Sequence, residues 1–543
     1  MKKIIEKTLY VQILNFSQGF MVSIPRKENK NIEFKEKLSP EIHLKEEKKQ
    51  HLASQMKYLL EIGKGTAIYI LGVSDDGHTK GLNELEFEQS INVLKNIASE
   101  CNAKISKIEK FNEDGKLIGK IIINKSYSNT LKSHLIIGVA GHVHHGKSTL
   151  IATLITGRPD LNGKNWLYLN VLPHEIERNL SADLHYALYG FSNGSVLNLK
   201  NPLEKKERAK IVEKANKIIS FVDTVGHEPW LRTTIRGLIG QNIDYGLLVV
   251  AADDGVTHIT KEHLGILLAI NLPVIICITK IDKVSEKRLE EVEKQIEELL
   301  KNLGKIPFIV KSENDLNVVL DKLEVIVPIF KTSAVDLKGY DLLNKLFQKL
   351  PERKKDLDKP FLMYIDKIYN ISGVGTVVSG TIKQGKLKTG KELLLGPDKT
   401  GGFRKVKAAS IEMHYQRLEE ANAGFVVGIA LRGIKYEEIE RGMVLCDEDL
   451  KPKAVKSFEA EILVLHHPTR IASGYEPVYH CQTIAESVRL ELLDKNYLKA
   501  GESGKVKMTF RYKPQFVSEG DKFVFREGKT KGIGTITKIL KYA

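Results

Sequence analysis

Cysteine is scarce in this chain of 543 residues: Cys101, Cys277, Cys446 and Cys481 stand far apart. They form no C-x-x-C pair, so neither a disulfide framework nor a zinc knuckle is expected, and a reducing, cytoplasmic setting fits best. Long apolar runs are missing too. Nothing approaches the roughly 18 consecutive apolar residues of a spanning helix, so no membrane association is expected. The opening, Met1-Lys2-Lys3-Ile4-Ile5-Glu6-Lys7, carries basic residues but no long apolar core or small-residue cleavage site, and no secretory signal is expected. Internal repeats and low-complexity tracts do not stand out.

Positive charge, by contrast, is in excess. Lys and Arg number 83 against 68 Asp and Glu, a net charge of +15, with a disproportionate share of the excess in residues 453–543. A surface facing a polyanion accounts for this, with nucleic acid ahead of membrane because no amphipathic anchor is evident. Lysines spread over solvated faces account for it equally well.

The length excludes a single core and suggests three or four domains. Residues 1–130 read as an α+β unit, with helices over 52–61 and 84–100 and strands over 66–73, 103–111 and 117–124, the last two joined by a turn at Asn112-Glu113-Asp114-Gly115. The first 37 residues give no clear pattern. Residues 131–352 alternate apolar strands with helical patterns, the mark of a mostly parallel sheet covered on both faces. After the charged linker Pro351-Glu352-Arg353-Lys354-Lys355, short β-rich runs separated by Gly turns predict two small β-barrels, 356–452 and 453–543.

Within the α/β region, Gly141-His142-Val143-His144-His145-Gly146-Lys147-Ser148 has the spacing G-x-x-x-x-G-K-[ST] at the end of an apolar strand and before a helical stretch ending at Thr156. Glycines there let backbone N–H groups converge on phosphate oxygens; Lys147 would reach the β- and γ-phosphates and the Ser148 hydroxyl would ligate Mg²⁺. The helix start, through Ser148 and Thr149, adds its dipole. Asp223, at the end of the strand 218–222, can hold Mg²⁺ through water, and the Gly226 N–H can sense a γ-phosphate. Between these, Ser181 in Glu177-Arg178-Asn179-Leu180-Ser181 offers a second hydroxyl ligand for the metal.

Base choice is written further along. Thr279-Lys280-Ile281-Asp282 follows the strand 274–278, and the Asp282 carboxylate can accept from both N1–H and the 2-amino group of guanine. Adenine offers neither donor. Thr332-Ser333-Ala334 can bring backbone N–H groups near guanine O6. Four motifs in order, each at a strand end, predict a P-loop domain that binds GTP and GDP with Mg²⁺.

On these residues the chain resembles the translational GTPases of the elongation factor Tu and elongation factor 1-alpha type. Thr260-Lys261-Glu262-His263 is similar to a further signature of that family. So are Gly373-Val374-Gly375-Thr376-Val377-Val378-Ser379-Gly380 and Leu431-Arg432-Gly433-Ile434-Lys435 in the first barrel, and Phe525-Arg526-Glu527-Gly528 with Thr530-Lys531-Gly532-Ile533-Gly534 in the second. The run Phe458-Glu459-Ala460-Glu461-Ile462-Leu463-Val464-Leu465-His466-His467-Pro468-Thr469 and the N-terminal segments Gln55-Met56-Lys57 and Gly65-Thr66-Ala67-Ile68-Tyr69 look like the branch called GTP-binding protein one and two, with its archaeal relatives.

The resemblance implies GTP hydrolysis, ribosome coupling, binding of tRNA or another RNA, and a monomer. It makes His227 the residue that orients the attacking water, with Val143 and Leu180 as an apolar gate. His144 stands where elongation factor Tu has an Asp that helps hold a monovalent cation, and an imidazole cannot replace that ligand. Three closely spaced histidines on a phosphate loop do not make a zinc site. In the first barrel Glu412-Met413 resembles a wall of the aminoacyl pocket, but His414 and Val426 replace an aromatic ring and an Asn. Two relatives are not expected: an initiation-factor subunit with a zinc knuckle, and a selenocysteine-specific factor with a fourth C-terminal domain. Two functions fit: a GTP-hydrolysing switch that carries tRNA or engages stalled ribosomes, and a GTP-dependent adaptor to RNA-decay machinery in which hydrolysis is incidental.

Overall fold

The computed structural model describes residues 11–15, 21–25, 31–63, 65–101, 103–113, 115–125, 133–169, 184–226, 231–528 and 530–543. The chain separates into two units, Met1–Ser128 and Asn129–Ala543.

In the first unit, a four-stranded sheet runs in the order Ile32–Lys35, Thr66–Leu71, Lys116–Lys125, Ala103–Glu113, with only the first pair parallel. Two helices, Glu46–Ile62 and Glu84–Glu100, bury Met56, Leu59, Phe87, Ile91 and Leu94 with Tyr69 and Ile121 of the sheet. The second helix begins where its sequence says it should. Asn83 accepts from the Glu86 N–H at 2.9 Å and Glu86 returns the bond at 3.1 Å, satisfying two orphan donors of the first turn. The first helix starts six residues before the expected 52, because residues 46–51 are all charged or polar and carry no apolar period. A hairpin of Val11–Asn15 and Met21–Pro25 precedes the sheet.

The second unit opens with an eight-stranded sheet, in the order Ile306–Ile309, Ile326–Lys331, Val274–Thr279, Tyr245–Ala251, Ser133–Gly141, Lys217–Asp223, His185–Ser192, Ser195–Leu197. All pairs are parallel except at the last edge, where His185–Ser192 runs antiparallel to both neighbours. Helices cover both faces. Ile155, Phe221 and Phe347 share one core, and Leu248, Leu264 and Ile296 the other. Double-sided burial is why Tyr245–Ala251 reads as an unbroken apolar run, buried at every position.

Two barrels follow. In the first, Leu362–Tyr364, Val444–Cys446, Glu392–Gly396, Arg404–Met413, Val426–Arg432 and Gly375–Gln384 close because the first and last of these strands pair. The second is a closed ring of Val455–His466, Ser503–Phe510, Ile484–Leu492, Val478–Cys481, Lys522–Glu527 and Thr530–Tyr542. Phe458, Tyr479, Phe510 and Phe523 fill its centre, with Tyr479 and Phe523 ring centroids 4.8 Å apart. Among the described residues no helix is long and apolar enough to cross a membrane.

Candidate functional site

The central strand Ser133–Gly141 leads through five residues into the helix Lys147–Thr156. Gly141 has φ +146°, and a Cβ there would run into the Val249 carbonyl of the neighbouring strand. Its N–H donates to Nδ1 of His263 at 2.9 Å. His263 is buried on the helix His258–Ala269, and burial, helped by the Lys147 charge, pulls its pKa down to about 3, so a neutral ring accepts this bond. The loop histidines diverge. His144 sits exposed at φ +59°. His145 is buried, with Nε2 2.9 Å from the Asp254 carboxylate and Nδ1 3.3 Å from the Val249 carbonyl. His142 meets the His145 ring edge-on. Among the described residues no cluster of three His, Cys, Asp or Glu side chains is placed to hold a metal ion.

Lys147 and Ser148 open the helix over a buried carboxylate. Lys147 Nζ donates to the His142 carbonyl at 2.9 Å, and Ser148 Oγ donates to Asp223 at 2.6 Å. Burial pulls the Lys147 pKa down to about 8 against the opposing pull of Asp223. Gly226 lies directly above: a Cβ there would strike Lys147 Nζ and the backbone of the loop, so only glycine permits this approach.

Val143, His144, Gly146, Lys147, Ser148, Thr149 and Gly226 line one side of a cavity of about 520 Å³. Thr279, Lys280, Asp282 and Ala334 line the other. Thr279 ties the halves together by donating to the His145 carbonyl at 2.7 Å. Lys280 takes φ +58° and pairs with Asp253 at 3.1 Å, and Asp282 stands exposed on the turn Ile281–Lys283. Gly141, His142, His145, Asp223 and Ser333 are not among the lining residues; Gly141, His145 and Asp223 support the lining groups from behind. Leu180, Ser181 and His227 lie outside the described residues. Sequence reasoning assigned no role to His263, Asp254 or Asp160. His263 had a signal, its signature string, but no indication of its partner.

The barrels dock on this domain through buried polar groups. Asp366 of the first barrel accepts from Tyr186 at 3.1 Å and Gln241 at 2.8 Å, and pairs with Arg441 at 3.1 Å. Tyr186 lies on the strand His185–Ser192, and Gln241 immediately follows the helix Leu231–Gly240. His134 Nε2 lies 2.8 Å from Ser220 Oγ, which in turn lies 3.2 Å from His414 Nε2 of the barrel. Val426 packs against the core of the α/β domain. Both positions matched to the aminoacyl pocket therefore face the α/β domain. Lys531 of the second barrel forms an ion pair with Glu262, next to His263.

A parallel sheet whose central strand opens into such a loop defines a P-loop nucleotide-binding protein, here joined to two barrels. Residues 132–352 match the family model for the elongation factor Tu GTP binding domain, 375–446 that for elongation factor Tu domain 2, and 451–540 that for the elongation factor Tu C-terminal domain. The chain belongs to the elongation factor Tu family of translational GTPases, which bind GTP and GDP and hydrolyse GTP. It is 36% identical to GTP-binding protein 1 of Xenopus laevis, over 90% of this chain and 76% of that protein. GTP-binding protein 2 of Homo sapiens is 32% identical, over 95% of this chain and 88% of the other. Elongation factor 1-alpha of Methanopyrus kandleri is 31% identical, over 76% and 99%. Among solved structures, a bacterial selenocysteine-specific elongation factor shares the fold at TM-score 0.55 and 22% identity, over 74% of this chain and 58% of that one. Translation elongation factor SelB of Methanococcus maripaludis does so at 0.52 and 21%, over 76% and 80%.

Proposed function

We propose that this GTPase is a switch whose nucleotide state governs binding of tRNA or another RNA and its engagement with the ribosome. The observation that carries the reading is the contact of Tyr186 and Gln241 with one barrel carboxylate, Asp366. Tyr186 lies on the strand His185–Ser192 and Gln241 follows the helix that comes after Gly226, so two elements of the α/β domain bear on the barrel that would present a surface to RNA. In this reading Ser148 and Ser181 would hold Mg²⁺ on the nucleotide, with Asp223, hydrogen-bonded to Ser148, holding it through water. A donor set of two hydroxyls and one carboxylate suits a hard cation. The ion supplies charge neutralisation for the phosphates when bound. Lys147 holds the phosphates, Asp282 selects guanine, and His227 orients the attacking water.

The adaptor reading keeps one specific support. His414 lies 3.2 Å from Ser220 of the α/β domain, so the position matched to an aromatic ring of the aminoacyl pocket is engaged within the protein. Filter binding of charged and uncharged tRNA, with GTP analogue and with GDP at two salt concentrations, tests the switch. We expect tighter, salt-sensitive binding in the GTP state, since phosphate contacts release counterions. No nucleotide-dependent difference for any tRNA would refute the carrier role. Equal, slow GTP turnover on ribosomes by wild type and His227→Ala would favour the adaptor.

A further inference from the structure

The four motifs account for the phosphates and for the hydrogen-bonding edge of the base. Against the faces of guanine and the ribose they bring only the aliphatic stem of Lys280. Beside them lies a segment to which no role has been given, 157–169, immediately after the phosphate-loop helix.

This segment is fastened to the base-recognition side of the cavity. The Asp160 N–H donates to the Ala334 carbonyl at 2.8 Å. The Asp160 carboxylate accepts from the N–H groups of Lys164 and Asn165 at 2.8 and 3.0 Å, closing the loop on itself. Asn165 donates to Thr153 Oγ1 of the helix at 3.2 Å and to the Arg158 carbonyl at 3.0 Å. The buried Tyr340 hydroxyl bonds to Thr153 and lies in the field of both Asp160 and Asp282, so the loop and the guanine-selecting acid share one neighbourhood. Leu169 anchors the far end in the core. A loop tied down this way still presents Leu161 with 78% of its surface exposed, and a half-buried Trp166. Both line the same cavity as Lys147, Asp282 and Ala334.

We propose that Leu161 and Trp166 form an apolar wall against the guanine ring and ribose, a determinant of nucleotide affinity additional to the four motifs. The proposal rests on the reading that this cavity takes the nucleotide. Apolar contact with a base face is indifferent to the number of phosphates, so its loss weakens GDP and GTP by one common factor.

The test is calorimetric titration of the full chain with GDP and with a non-hydrolysable GTP analogue. Trp166→Ala should raise both dissociation constants by about tenfold, the scale of losing one base–aromatic contact. Trp166→Phe should hold most of the affinity. Leu161→Asn, at a position too exposed to matter for folding, should raise both constants about threefold. A second readout avoids any question of folding. In a Trp230→Phe background, where Trp166 is the one remaining tryptophan, GDP should quench its emission by contact. Unchanged affinities in Leu161→Asn with no quenching overturn the proposal, and so does a loss confined to the GTP analogue. Wild-type protein that binds neither nucleotide would instead remove the underlying site reading.

Discussion

Gln241 donates to the Asp366 carboxylate across 2.8 Å, tying the residue after the helix Leu231–Gly240 to the first barrel. Gln241 is itself held from the other side, accepting from Thr381 at 3.2 Å. With Tyr186 and Arg441 the carboxylate has three partners, and it is 7% exposed. Asp366→Asn keeps the shape and removes the charge opposite Arg441. We expect a loss of about 1–3 kcal/mol in docking, since a part-buried guanidinium loses its ion-pair partner. Hydrogen exchange should rise along the first barrel's face while affinity for GDP stays within about twofold, because the nucleotide cavity is untouched. Unchanged exchange would show that the barrel does not depend on this carboxylate.

Lys147 should couple nucleotide binding to pH. In the free protein burial holds its pKa at about 8. Phosphates arriving beside Nζ favour the charged form, so the bound-state pKa lies higher. Between the two values binding takes up a proton, and affinity for GDP falls as pH rises above about 8, by up to about tenfold per pH unit. Calorimetry in buffers of different ionisation heat should show proton uptake in this range. Lys147→Ala should weaken binding by about a hundredfold and abolish the uptake.

The placement of the phosphate loop, Asp223 and the Thr279–Asp282 string at strand ends was legible because each is a short contiguous run after an apolar strand. What joins them was not. His263 meets Gly141 across 122 positions, and Gln241 meets Asp366 across 125, distances at which periodicity carries no information. The penultimate strand His185–Ser192 was also hidden. His-Tyr-Ala-Leu-Tyr-Gly-Phe-Ser has no clean alternation, because five consecutive positions are buried before the chain reverses into Ser195–Leu197. The barrels were readable as a class from their Gly-punctuated short strands, but their closure depends on which strands pair, such as Leu362 with Gln384.

Acid should loosen the joint between the α/β domain and the first barrel. Burial pulls the His414 pKa down to about 3 from an ordinary 6.5, and the Arg208 charge adds to it. His134 is lowered well below 6.5, again by burial first, then by Lys355 and His414. The unfolded chain thus binds more protons than the folded one below pH 6.5. Stability is complete above that pH and is lost as pH falls from 6.5 toward 3, at up to about 1.4 kcal/mol per pH unit for each histidine. His414→Gln removes one titrating ring and should flatten the fall in Tm between neutral pH and about pH 5, with a lower Tm at neutral pH from imperfect packing. A fall as steep as in wild type would show that His414 is not a source of the acid sensitivity.

Asp282 tests base selection at a single atom. Its carboxylate stands exposed at the lip of the cavity on Ile281–Lys283, with two acceptor oxygens and no donor. Guanine presents two donors there, N1–H and the 2-amino group. Asp282→Asn turns one acceptor into a donor, which then opposes the amino group. Affinity for GTP should fall by at least about a hundredfold, the cost of one lost charged hydrogen bond and one donor left without an acceptor. Xanthine carries a carbonyl at the same ring position, which the new amide can reach as donor while its oxygen keeps N1–H. The variant should therefore prefer xanthosine triphosphate over GTP, measured by competition against labelled GDP. Equal discrimination by variant and wild type would mean that the carboxylate at 282 does not read the base.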